Sequence, residues 1–434
     1  MIDHASRGKN PIASNAIAFA AAVIFGVALY RISPPEAVPQ SKQAVGHLNA
    51  AVAIAQGQSL LEGDGGPGKP YPPLYRLLLA GPHRAGLDWW HSALVINSAA
   101  FAAGLFSTFF LSRACGLGCG AWLCTAAFAA LSSNHYLYFS AIPELSFTAC
   151  WMGAAACAAA VLQTGRPGTT HAMGLLVSAA CLLRYIGLFT AFPACALAIL
   201  MRRGDGLRRR LQNLLTLCAW VLLPMSAWVV RNLVLIGIPS GMSRTGARDA
   251  ELKTGLADNL SSTLQSCLID WFRWPAIAQR RYIEERIELP RPFLQNILLG
   301  IALLLLCIAL VHWRVKARCT VAHREPAPEA SAARVHVLLH WSIYQVALLL
   351  LWTFTNNDPI NVRFTAPSYP FALILAGVGA AALCRGEGAG VRRVLVGLAV
   401  AAVLSLQAMK SVHNFGDIAA EDRARPYLPT KSTE

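Results

Sequence analysis

Long apolar runs, broken at short intervals by clusters of arginine, lysine and proline, dominate this chain. Many of them reach the roughly 20 residues that a helix needs to cross the hydrocarbon core of a bilayer. In lipid every backbone polar group must be satisfied internally, which leaves helices and closed barrels. The runs are continuous and rich in Ala and Leu rather than alternating with period two, so the pattern predicts helices. Spans are expected at approximately 14–32, 91–112, 119–140, 143–163, 171–201, 213–237, 293–313, 335–355, 364–384 and 392–409. The first follows a short basic leader with Arg7 and Lys9, and without a small-residue cleavage site it reads as a retained anchor.

The 171–201 run is too long for one span, and basic residues stand at both of its ends: Arg166 before it, and Arg202, Arg203, Arg208, Arg209 and Arg210 after it. Two short helices that enter and return satisfy both ends, with Arg184 near the turn. Counting it twice gives about 10 to 12 spans. Arg314, Lys316, Arg318, Arg324 and Arg334, then Arg385, Arg392 and Arg393, fall on the same side, which the positive-inside rule makes cytoplasmic. Two long loops, 33–90 and 238–292, are then external. The second holds Trp271, Phe272 and Trp274 among Arg273, Arg280 and Arg281, a pattern that suits either an interfacial helix or a packed loop helix. Residues 315–334, rich in Ala, Pro and charge, read as a cytoplasmic linker. The whole is expected to be one all-α transmembrane domain, without internal repeats.

Composition strengthens this picture. The 434 residues are 55% hydrophobic and only 14% charged, whereas a soluble domain carries about a quarter charged residues. The net charge of +15 does not point to nucleic acid, because the basic residues lie largely in the short segments between spans. Most of the 12 cysteines lie in or beside apolar runs, so no disulfide framework is expected. Cys115 and Cys119 flank a tight turn but lack the second pair or histidine cluster of a zinc site. His336 and His340 share a helical face, and polar contacts between helices suit them better than a metal.

Chemistry concentrates on the external side. The first loop contains Gly68-Lys69-Pro70-Tyr71-Pro72-Pro73-Leu74-Tyr75, where adjacent prolines stiffen the backbone and fix the neighbouring side chains. Ionisable residues near a helix's membrane end are costly and often line polar cavities, and Glu144, Arg184, Arg231 and Arg363 all fall there. The two outer arginines also fit a second reading, snorkelling to the interface or pairing with Glu144 and Asp358. His135, Tyr136 and Tyr138 suit sugar contacts or an aromatic belt.

The proline segment resembles the Tyr-Pro-Pro-Leu-Tyr signature of the GT-C superfamily of membrane glycosyltransferases, in the branch of protein O-mannosyltransferases and aminoarabinose transferases. Other segments follow in the family's order: Asn97, Pro143-Glu144-Leu145-Ser146-Phe147, Arg184-Tyr185-Ile186-Gly187, Arg231-Asn232 with Gly237 and Pro239, and Arg363 ahead of Pro367 and Pro370. The resemblance covers about residues 47–370. It implies transfer of a sugar, with inversion, from a polyprenyl-phosphate donor to a lipid, glycan or protein acceptor on the external face of a bacterial inner membrane. No cofactor or metal is expected, and no nucleotide-binding loop is evident. On this view Lys69, Tyr71, Tyr75, Arg184, Tyr185, Arg231 and Arg363 would bind substrate, the guanidinium groups meeting phosphate through bidentate hydrogen bonds. Lys69 stands two positions before the place where the aminoarabinose branch carries a lysine. The family also places a catalytic acid at a position corresponding to about Gln43, where this chain has none. Glu144 is the first replacement, with Glu62 and Asp64 behind it. The missing acid keeps open a relative that binds the lipid without transfer, or a lipid or solute transporter.

Overall fold

The computed structural model describes residues 11–33, 42–57, 71–202, 204–236, 328–354, 362–384, 394–398 and 407. Every regular element among them is helical. In order they are α1 (Pro11–Ile32), α2 (Lys42–Ala55), α3 (Leu74–Arg84), α4 (Trp89–Ala114), α5 (Gly120–Ala130), α6 (Ser132–Tyr138) and α7 (Glu144–Thr164). There follow α8 (Pro167–Leu183), α9 (Ile186–Phe189), α10 (Ala191–Met201), α11 (Leu207–Ile236), α12 (Pro328–Phe354), α13 (Val362–Thr365), a 3-10 turn (Ala366–Ser368) and α14 (Tyr369–Leu383). Five stretches are long and apolar enough to cross a membrane: Ala13–Ile32, Trp89–Ala114, Glu144–Thr164, Leu207–Leu235 and Ala366–Leu383. The protein is a polytopic, all-helical integral membrane protein.

The bundle is built around α7, which packs on α4, α8, α10 and α12. Its centre is aromatic. Trp151 stands against Phe147, Tyr344 and Phe371 with ring centroids 5.7, 4.7 and 4.5 Å away, and all four side chains are buried. Without water to expel, such packing and a few interhelical hydrogen bonds hold membrane helices together. His340 supplies one of these bonds: its Nδ1 accepts from Trp151 Nε1 at 2.7 Å, and its Nε2 lies 2.9 Å from His336 Nε2. The histidine pair therefore makes the polar interhelical contacts that its spacing suggested.

Alternating helix directions sort the side chains into two ends. Arg113, Arg202, Arg208, Arg209, Arg210 and Arg334 gather where α4 and α10 stop and α11 and α12 start. Glu144, Arg184 and Arg231 gather at the opposite end, together with α2 and α3.

The divided 171–201 segment has the expected form. Helix α8 stops at Leu183, Arg184 is extended at φ −150°, ψ 130°, and α10 runs back. The 119–140 run departs from expectation, because it breaks at Leu131 (φ −62°, ψ 119°) into α5 and α6. Ser132, Ser133 and Asn134 follow the break, and such side chains compete with helical hydrogen bonding. Asn134 Nδ2 donates to the carbonyl of Phe128, and a ring nitrogen of His135 meets that of Ala129, which satisfies the last turn of α5. The expected 335–355 span begins earlier, at Pro328, inside the segment read as a linker. The 293–313 run and the 238–292 loop lie outside the described residues, as does most of 392–409.

Candidate functional site

The proline motif ends where α3 begins. Pro73, at φ −80°, ψ −23°, already has the helical conformation and delivers Leu74, Tyr75 and Arg76 into the first turn. Tyr75 and Arg76 are both buried, and the Arg76 guanidinium lies 5.6 Å from the centre of the Tyr71 ring. His47 of α2 closes this layer, its ring 5.0 Å from Tyr71 and 5.4 Å from Tyr75. Burial, reinforced by the charge of nearby Glu144, raises the Tyr75 phenol above its ordinary value. It stays neutral, a hydrogen-bonding group rather than an acid or base.

Glu144 is placed by a chain of local constraints. Asn97 Nδ2 donates to the carbonyls of Tyr138 at 2.7 Å and Ser140 at 3.0 Å, which pins the turn after α6 to α4. Pro143 then starts α7, and Glu144 occupies its first turn, where a negative charge suits the helix dipole. The side chain is fully enclosed. Its Oε1 accepts from Arg184 Nη1 at 3.0 Å across 40 residues of sequence. Arg184, 17% exposed, is the open member of the pair, and its guanidinium also lies 5.2 Å from the centre of the Phe364 ring.

The break that presents Arg184 depends on Gly187. A Cβ there would stand 2.9 Å from the Ala180 carbonyl carbon and the Cys181 nitrogen, inside any tolerated contact, so only glycine lets the turn fold onto α8. Beside it, Tyr185 accepts a 2.7 Å hydrogen bond from Trp228 Nε1. Arg231, one turn beyond Trp228, covers that indole at 4.8 Å and donates to Asn232 Oδ1 at 3.0 Å. The Arg76 charge acts on both Tyr185 and Arg231, which places it in the same cluster.

One end of the bundle thus gathers the guanidinium groups of Arg76, Arg184 and Arg231 and the enclosed Glu144 carboxylate, which bonds Arg184, among tyrosine, tryptophan and phenylalanine side chains. The sequence-predicted Tyr71, Tyr75, Glu144, Arg184, Tyr185 and Arg231 converge there. Arg363 belongs to α13, directly before Phe364, but its side chain is outside the described set. Glu62, Asp64 and Lys69 lie outside the described residues. His135 and Tyr138 turn away from the site: His135 bonds to α5, and the Tyr138 hydroxyl is 3.0 Å from that of Ser98. Among the described residues no group of three or more His, Cys, Asp or Glu side chains is placed to hold a metal ion.

Sequence reasoning passed over Arg76, His47 and Trp228. Arg76 had a readable signal, a charged residue in the first turn of a helix that leads straight from the proline motif into an apolar stretch. His47 and Trp228 had none beyond their places in those elements.

No protein-family model matches the chain, and no curated protein sequence matches it. Among solved structures, the crystal structure of ArnT from Cupriavidus metallidurans in the apo state shares the fold, with a TM-score of 0.52 and 14% sequence identity. The likeness covers 95% of this chain and 77% of that one, and is a likeness of fold.

Proposed function

We propose that the protein is a glycosyltransferase that moves a sugar from a polyprenyl-phosphate carrier to an acceptor at the end of the bundle carrying Glu144, the external face of the membrane. The observation that carries this reading is the buried Glu144–Arg184 pair, at the end of the bundle that also holds Arg76 and Arg231, in a GT-C-like fold. A glycosyl phosphate that loses its sugar leaves a polyprenyl phosphate with one more negative charge. Guanidinium groups held in advance by Phe364, Trp228 and Tyr71 stabilise that charge without rearranging, which is where preorganised electrostatics lowers a barrier most.

The carboxylate has two tasks in this scheme. In the resting protein it holds Arg184. When the donor phosphate takes over the guanidinium, Glu144 becomes the group placed to accept the acceptor's hydroxyl proton, while the acceptor oxygen attacks the anomeric carbon and the carbon–phosphate oxygen bond breaks. A single displacement of this kind inverts the anomeric configuration. Tyr71, Tyr75 and Tyr185 offer hydroxyl groups to substrate. Arg363 and Lys69 are further phosphate partners in the proposal, and Glu62 and Asp64 are the reserve bases.

A second reading, a relative that binds the lipid phosphate without transfer, is favoured by the full enclosure of Glu144. One experiment separates the two: transfer of labelled sugar from a panel of polyprenyl-phosphate donors to a membrane extract, with purified wild type, Glu144→Gln and Arg184→Ala. Donor-dependent transfer by wild type that falls about 100-fold or more in both variants supports the site. Donor binding with no transfer by wild type rejects the enzyme reading, and transfer that survives Glu144→Gln moves the base elsewhere.

A further inference from the structure

A cavity of about 710 Å³ opens on the face of α7 away from the Glu144–Trp151 stripe, between α1, α4, α7 and the side of α8. It is hollow because its walls are small. Ala99 and Ala103 on α4 face Ala149, Gly153 and Ala160 on α7, while Phe19 and Tyr30 of α1 mark its two ends. The exposed apolar face of α1, with Ile17, Val23, Ile24 and Val27, continues directly into it. That face belongs to the surface a polytopic membrane protein presents to hydrocarbon, so the medium that reaches the cavity is lipid and not water.

Length and charge narrow the occupant. From Phe19 to Tyr30 the rise of α1 is about 16 Å, and from Ala149 to Ala160 that of α7 is the same. The lining residues 95–110 of α4 and 149–160 of α7 are centred on their spans, so the cavity straddles the middle of a core roughly 30 Å thick, where the end of a chain entering from the basic side reaches. At the Phe19 end, Arg113 follows Phe106 and Phe110 on the same stripe of α4, at seven and three residues' distance. It is half-buried and donates one hydrogen bond to Asn15 Oδ1 at 3.2 Å, leaving further N–H donors of its fork for an anion.

We infer that this cavity is a binding site for one acyl chain of a phospholipid from the leaflet at the basic end, with the lipid phosphate on Arg113. The chain fills the gap between α1 and α7 and ties α1, which packs chiefly on α4, to the rest of the bundle. The site lies on the other side of α7 from the carboxylate and arginine cluster, so it is independent of the proposed transferase chemistry.

The test uses the full-length protein in lipid nanodiscs doped with a phospholipid that carries a photoactivatable diazirine at mid-chain. Cross-links are mapped by mass spectrometry. Labelling is expected to concentrate on α4 and α7 around Ala103 and Gly153, above the level at the lipid-facing Leu215 and Leu223 of α11. Ala99→Phe with Ala103→Phe fills the cavity and should bring its labelling down to the α11 level, while the α11 labelling, unchanged, reports an intact fold. Arg113→Gln should weaken retention about fivefold, the worth of one basic residue toward an anionic headgroup. Equal labelling of the cavity and α11 overturns the proposal. So does displacement of the label by added polyprenyl phosphate, or disulfide formation between Ala103→Cys and a cysteine placed in 293–313, which would make a donor chain or a segment of this protein the occupant.

Discussion

Two carboxylate–guanidinium pairs stand at opposite ends of the bundle, similar in length and in burial and unlike in sequence separation and in what surrounds them. Asp205 and Arg202 meet at 2.7 Å within a single turn between α10 and α11. Around them, Arg210 donates to the carbonyls of Asp205 and Leu200, and Arg209 to that of Gly165. Each contact there closes a chain end or a loop. The Glu144–Arg184 pair joins residues 40 positions apart, with the Phe364 ring against its guanidinium, at the end of the bundle that also carries Arg76 and Arg231. Both pairs are buried and carry a desolvation penalty, but the local one sits among contacts that close a loop and helix ends, whereas the non-local one has no such structural return. The basic end uses charge to finish helices; the other end joins charges across the bundle, which is why the site is proposed there.

The largest effect should follow from removing Arg184. Arg184→Ala takes a guanidinium away from the enclosed Glu144, and breaking a buried pair this way costs about 3–5 kcal/mol. Unfolding of the purified protein in mixed micelles should show that loss. Adding Glu144→Gln to Arg184→Ala should recover part of it, because an enclosed charge is then gone. Strict additivity of the two substitutions would show that the pair is not coupled, and would remove the contrast between the two ends.

Much of this architecture was legible in the sequence, for physical reasons that differ by residue. Arg184 could be placed at a turn because an arginine in the middle of an over-long apolar run, with basic residues at both ends, has few other places to go. Glu144 could be placed at a helix start because Pro143 precedes it. The break at Leu131 was hidden, since Ser132 to Tyr138 are polar enough to stop a helix but too few to read as a loop. Arg76 had a signal in its place after the proline motif, but nothing in a sequence states that this turn folds inward against Tyr71. Pairing across α7 and α8 and the Trp228–Tyr185 bond depend on helix rotation, which flat apolar patterns do not specify.

At the basic end the effects should be smaller, beginning with Gly165→Ala. Gly165 ends α7 at φ +62°, and a Cβ there would fall 1.5 Å from Arg202 Nη1, in the space the guanidinium occupies. The left-handed conformation alone costs about 1–2 kcal/mol for alanine. A loss in that range, with unchanged donor binding, would confirm that this end serves the fold. Asp205→Ala takes an enclosed carboxylate from the largely buried Arg202 but leaves the half-exposed Arg209 in water, and should cost less than Arg184→Ala, about 1–3 kcal/mol. A loss as large as that of Arg184→Ala would mean that both ends store charge in the same way.

The smallest effect at neutral pH belongs to Tyr75→Phe, and its sign depends on pH. Burial, and then the Glu144 charge, raise the folded-state value of this phenol above its ordinary 10.0. The group therefore contributes its full stability below pH 10, where both states are protonated. Above it the unfolded chain releases the proton that the native chain retains, and stability falls with rising pH by up to about 1.4 kcal/mol per unit from this residue. Tyr75→Phe has no proton to lose, so its alkaline unfolding should be shallower than that of wild type, with little difference at pH 7. Identical alkaline profiles would mean that the phenol is ionisable in the folded protein and that the layer around Tyr71, His47 and Arg76 is open to water. The site end would then owe its polarity to solvent access and not to a preset field of charges.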